Sequence, residues 1–99
     1  MNRVVLSAVV VERGAVRYTP AGLPALDLRL AHESSVVEAG QPRKVRMELK
    51  AVVIGELAQR LARAELGYAG TFAGFLAAQR NGRGTVLHIT ELQDVSGSF

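Results

Sequence analysis

The sequence predicts a small all-β fold with one short helix, in the order β-β-β-α-β-β, and three observations carry that prediction. Strand-length segments, either continuously apolar or alternating, occur five times; hydrophobic spacing switches to three and four residues only once; and turns bearing glycine or proline separate the pieces. A length of 99 residues with 48% hydrophobic side chains fits one domain over 1–99 built on a single core.

Val4 to Val11 is an unbroken β-branched and aliphatic stretch stopped by Glu12-Arg13-Gly14, and it forms the first strand. Val4, Leu6, Ala8 and Val10 make one face and Val5, Ser7, Val9 and Val11 the other, so both faces need cover. Two readings stand: Val4, Val5, Leu6, Ser7 and Val9 contribute to a subunit interface, or the chain's own helix and loops bury the strand. Ala15 to Tyr18 continues or restarts a strand before the turn Thr19-Pro20-Ala21-Gly22-Leu23-Pro24. Leu26 to His32 alternates as a half-exposed second strand, and Glu33 to Pro42, with its small polar residues, Gly40 and Pro42, reads as a flexible loop.

The third strand runs from Arg43 to Val53, with Val45, Met47 and Leu49 on one side and Lys44, Arg46, Glu48 and Lys50 on the other, a cationic sheet face. From Gly55 the period lengthens: Leu57, Ala58, Leu61, Ala62 and Ala64 recur at three and four residues, with Glu56 at the start, Arg60 and Arg63 late, and Gly67 ending the helix. Ala69 to Ala78 is a fourth strand in which Gly70 and Gly74 suggest a bulge or bend and Phe72 and Phe75 read as core. Gln79 to Gly84 holds the hairpin signal Asn81-Gly82, Thr85 to Leu92 is the fifth strand, and Val95 to Phe99 is a loose tail. This order suits the five-stranded Greek-key barrel called the OB-fold, a common oligonucleotide binder.

The formal charge is +3, unevenly spread: Arg43, Lys44, Arg46, Lys50, Arg80 and Arg83 face only Glu48 within two short segments, and the rest of the chain is mildly acidic. Ten of the twelve cations are arginine, whose planar fork suits phosphate, so these two segments are candidates for an anionic ligand. The competing reading is solvated edge charge that deters aggregation. Tyr18 is a candidate for base stacking, against the plainer reading of a half-buried packing residue.

Several function classes are excluded. The absence of cysteine removes disulfides, thiolate metal sites and cysteine nucleophiles. No apolar run reaches the eighteen or so residues of a membrane span, and the first twenty residues carry charge in place of a signal-peptide core, which points to the cytoplasm. His32 and His88, with Glu33 and Ser34, form neither an HExxH nor a GxSxG pattern, and the loop around Asn81-Gly82 lacks phosphate-loop spacing, so no catalysis, cofactor or metal is expected.

Six words in register carry a resemblance: Asn2-Arg3-Val4-Val5-Leu6-Ser7, Thr19 to Pro24, Leu30-Ala31-His32-Glu33-Ser34, Glu38-Ala39-Gly40, Gly74-Phe75, and Arg80-Asn81-Gly82 followed by Val86-Leu87-His88. Together they resemble the primosomal replication protein N (PriB) family of bacterial SSB-like OB-fold proteins over nearly the whole chain. The resemblance implies a homodimer paired through the first strands that binds single-stranded DNA, joins the PriA helicase at stalled forks, and leaves open a DnaT-like loader as a further partner. It places Arg43 and Arg80 at basic positions of the family. It also marks departures: Arg46 stands for a family tryptophan, Gln41 for a phenylalanine and Thr85 for a lysine, so binding is expected to be weaker and more dependent on salt. A protein-interaction adaptor with little DNA affinity is the rival reading. A specialised single-strand binding protein is the third, disfavoured because Asp94 to Phe99 is not a long acidic tail.

Overall fold

The computed structural model describes residues 1–94, so the tail expected over 95–99 lies outside the described residues. Six strands and one helix follow in the order β1 (Val4–Arg13), β2 (Arg17–Tyr18), β3 (Pro24–Glu38), β4 (Gln41–Ile54), α1 (Glu56–Ala62), β5 (Ala69–Ala78) and β6 (Thr85–Asp94). The two-residue β2 is the restarted strand and pairs with Pro24 and Ala25. The five long strands form the closed barrel of the OB-fold: the sheet runs β1-β5-β6-β4-β3 and closes where β3 pairs with β1.

Closure depends on β1 serving two neighbours. Its first part, Val4 to Val9, pairs with β5, and from Val9 onward it pairs with β3, with a register shift that leaves Val11 as an extra residue between Val10 and Glu12. A bulge of this kind sharpens the local twist and lets one strand turn the barrel corner. The second register shift is in β6, where Thr90 is extra opposite Ala73 and Gly74. Gly74 has no room for a side chain there, since a Cβ would come within 1.7 Å of the His88 carbonyl oxygen.

The core matches the alternation in the sequence. Val10, Leu26, Leu30, Leu61, Phe72, Leu87 and Val53 are almost fully buried, and Phe72 alone, as a large ring removed from water, contributes about 2–3 kcal/mol. The helix places Ala58 and Leu61 against this cluster. Arg13 is tied to the same end, its guanidinium donating to the Ala64 carbonyl.

Four expectations need correction. Glu33 to Pro42 is no flexible loop: β3 continues to Glu38 and pairs in unbroken register with β4 up to Glu38 opposite Gln41, forming a two-stranded arm beyond the barrel. The reversal is made by Ala39 and Gly40, both at positive φ (53° and 76°), as a tight turn matched to strand twist demands. The helix ends at Ala62, not Gly67, because Arg63 and Ala64 already close tighter turns onto Arg60 and Leu61. The β5/β6 hairpin does not turn on Asn81-Gly82 alone. Gln79 N–H donates to the Gly84 carbonyl at 3.0 Å, and the positive φ falls on Gly84. Finally, Phe75 is not core: it is 40% exposed and stacks on His88, with ring centroids 4.7 Å apart and planes 6° from parallel.

Candidate nucleic-acid interface

The sequence offers one strand as a cationic face, but a sheet face belongs to neighbouring strands together. Residues directly opposite across β3 and β4 share a side, so Glu33 joins Arg46, Ser35 joins Lys44, Ala31 joins Glu48 and Arg29 joins Lys50 on the outer surface. Glu33 reaches both Lys44 (3.5 Å) and Arg46 (3.3 Å), while Arg29 is held by Glu12 (3.3 Å) and Glu48 (3.7 Å). The outer face is therefore a lattice of alternating sign rather than a cationic strip. The two Glu33 pairs are exposed and worth under about 1 kcal/mol each, so phosphate can compete for Lys44 and Arg46, but against a resident carboxylate.

Arg43 departs from its neighbours. Alternation sets it on the opposite side of the arm from Lys44 and Arg46, and it pairs with Glu38 at 2.6 Å near the arm's tip. Lys50, Arg80 and Arg83 differ again: among the described residues they make no ion pair. Lys50 lies where the barrel meets the β5/β6 loop. Gln79, with its amide turned to suit its neighbours, accepts from Lys50 Nζ at 3.2 Å and donates to the Arg83 carbonyl at 2.7 Å. Gln79 thus fixes the loop bearing Arg80 and Arg83 beside the strand bearing Lys50. Lys50 and the loop that bears Arg80 and Arg83 are thus neighbours, and Lys44 and Arg46 share Glu33 as a second group, whereas Arg43 and Tyr18 join neither.

Tyr18 is 67% exposed on β2, opposite Pro24 and at the end of β3 away from the arm. Beside it Arg17 forks onto Asp27 with bonds of 3.1 and 3.2 Å, and that hydrogen bond and charge raise the guanidinium above its ordinary range. The histidines behave as structural groups. His32 Nδ1 lies 2.6 Å from the Ser7 carbonyl and Nε2 2.8 Å from Ser34 Oγ, which joins β3 to β1. His88 carries Phe75. Neither belongs to a group of three His, Asp or Glu side chains suited to a metal among the described residues.

The face of β1 predicted to need cover remains open at one end. Along Val4 to Ala8 one edge pairs with β5, and the other has no strand beside it among the described residues. On the outer side Val5 is 59% exposed and Ser7 is also exposed, whereas Leu6, Ala8 and Val10 turn inward. No helix among the described residues is long and apolar enough to cross a membrane.

Comparison with known proteins gives concordant matches. A profile described as "another single-strand binding protein family" matches residues 2–91. The replication restart protein PriB of Bordetella pertussis is 50% identical over 100 aligned positions, covering 100% of this chain and 94% of that protein. A crystal structure of PriB from Ralstonia solanacearum superposes with a TM-score of 0.87 at 36% identity, covering 96% of this chain and 98% of the other. The wild-type single-stranded DNA binding protein of Thermus aquaticus gives a TM-score of 0.75 at 27% identity over 99% of this chain and 52% of that one.

Proposed function

Since this chain belongs to the single-strand binding protein family, and within it to the PriB replication restart proteins, we propose that it binds single-stranded DNA as a homodimer during replication restart. The observation that carries the reading is that Gln79 ties Lys50 to the backbone of the loop bearing Arg80 and Arg83, three cations with no ion pair to a carboxylate among the described residues. In an OB-fold the loop between the last two strands borders the binding groove, so cations there that make no ion pair among the described residues suit phosphate. Lys44 and Arg46 extend this surface along the arm by exchanging Glu33 for phosphate. Arg43 and Tyr18 remain candidate DNA-binding residues at the arm's tip and at the far end of β3.

The homodimer rests on the first strand. An edge over Val4 to Ala8 with no strand beside it among the described residues, and with Val5 exposed there, suits antiparallel pairing with a second copy, which would satisfy backbone groups other than the Ser7 carbonyl that His32 already meets. Partnership with the PriA helicase, with a DnaT-like loader beyond it, follows from the family and would place the protein at replication forks in the cytoplasm. The protein acts here by binding, with no catalytic step assigned to it.

One observation favours the second reading, an adaptor that holds the helicase and scarcely touches DNA: carboxylates already occupy Lys44, Arg46 and Arg43. Fluorescence anisotropy of a labelled single-stranded oligonucleotide, at low and near-physiological salt with duplex competitor, separates the two. Single-strand-selective binding that persists as salt rises supports the DNA-binding role. Binding that vanishes near physiological salt while helicase association persists supports the adaptor.

A further inference from the structure

We propose that Phe75 and His88 form a stacking platform that takes one base of single-stranded DNA on the outer face of β5 and β6, an assignment that rests on the single-strand-binding reading above. The two rings are parallel within 6° at a centroid distance of 4.7 Å, the geometry of an offset stack. Each ring uses one face for the other. Phe75 nevertheless keeps 40% of its surface in water, although Phe72, three residues earlier on the same strand, is entirely buried. A phenylalanine held outside a barrel whose core is already filled has no packing role that needs that exposure.

The backbone aims the pair outward. With Thr90 extra in β6, Ile89 falls opposite Gly74 and faces the core, and His88 falls opposite Phe75 on the outside. Without the bulge Phe75 would face Ile89, and that apolar side chain would be turned out to solvent. Gly74 permits the close approach that this register needs. The platform is also connected to the proposed phosphate-binding cations. Phe75, Ala77 and Gln79 alternate along the outer side of β5, so Gln79, which holds Lys50 and the Arg83 loop, lies about 14 Å from Phe75. On the other flank Arg3, one residue before Val4 in the strand next to β5, holds Glu91 only loosely at 3.5 Å with both groups exposed. A flat apolar ring bounded by cations on two sides suits an unpaired base with its phosphates, since every base offers a π-face. Pairing of two copies through the β1 edge would extend the sheet and leave this face open.

The chain has no tryptophan, so Phe75→Trp places a single tryptophan at the platform, excited at a wavelength that Tyr18 and Tyr68 do not absorb. Its emission should be quenched by a thymine oligonucleotide and unchanged by an abasic strand of equal length that binds through phosphates alone. Phe75→Ala should weaken binding by about fivefold or more, as expected for one stacked base, at an unchanged salt slope. Quenching by both strands, no quenching on binding, or wild-type affinity in Phe75→Ala would overturn the platform while leaving DNA binding intact. Failure of the unaltered protein to bind any single strand would instead remove the reading on which it rests. Should Phe75→Ala not fold, the tryptophan variant alone decides.

Discussion

Replacing Glu33 by glutamine should tighten DNA binding, and the size of the gain follows from geometry. The carboxylate sits 3.5 Å from Lys44 Nζ and 3.3 Å from Arg46 Nε, so a phosphate engaged by either cation would stand about 6 Å from it. Two unit charges at that distance in water repel by roughly 0.7 kcal/mol, about a threefold effect on affinity at low salt. Near physiological ionic strength a Debye length of about 8 Å reduces the gain to about twofold or less. Anisotropy titrations of Glu33→Gln at two salt concentrations measure this, with Glu65→Gln as the control that changes net charge equally away from the arm. If the Glu33 variant binds no tighter than the Glu65 variant at low salt, the arm's outer face is not a DNA surface.

Other consequences are separable by the same fold logic. Lys50→Ala with Arg83→Ala should flatten the dependence of log K on log salt by about 0.7 for each phosphate left without its cation, whereas Arg43→Ala, on the other side of the arm, should leave the slope nearly unchanged. Gly74→Ala forces a Cβ to within 1.7 Å of the His88 carbonyl oxygen, so β5 and β6 must separate. A cost of about 3 kcal/mol should lower the thermal midpoint by at least about 10 °C, read by circular dichroism. Val5→Glu places a charge beside the open edge of β1 and should yield a monomer by size-exclusion light scattering, with a native circular dichroism spectrum. A dimer that survives would place the interface elsewhere.

What is legible in the sequence is whatever a single strand decides by itself. The alternating faces of β3 and β4, the bounds of β5 and a strand segment ending at Tyr18 follow from period-two alternation and turn residues, whereas both faces of β1 are apolar and alternation does not tell its inward side. What is not legible depends on partners across the sheet. The ten residues from Glu33 to Pro42 read as a loop because Ser34, Ser35 and Gly40 weaken strand propensity. Pairing in register with β4 overrides that weakness, and Ala39 at φ 53° is a turn residue that no sequence rule favours. Phe75 escapes the pattern for a related reason: Gly74 signals an irregularity, but the extra residue, Thr90, lies in the opposing strand and sets what Phe75 faces. Local pattern cannot reveal which strand carries the bulge.

The masked charge on the arm has the same origin and a functional meaning. Lys44 and Arg46 on one strand face would repel one another along an arm that reaches beyond the barrel core, so Glu33 from β3 stabilises the arm as well as masking its charge. DNA bound there would exchange one anion for another, so the net gain should be small. At Lys50, Arg80 and Arg83 no such exchange is required among the described residues, where Gln79 meets Lys50 and the Arg83 carbonyl with neutral hydrogen bonds and none of the three makes an ion pair. Phosphate attraction should therefore be concentrated at the loop and graded along the arm. Glu33→Gln then has two signatures that must appear together: higher affinity at low salt, and faster amide exchange in Glu33 to Gly40 as the arm loses its cross-strand tie. Tighter binding without looser exchange would mean that Glu33 masks charge but does not hold the arm.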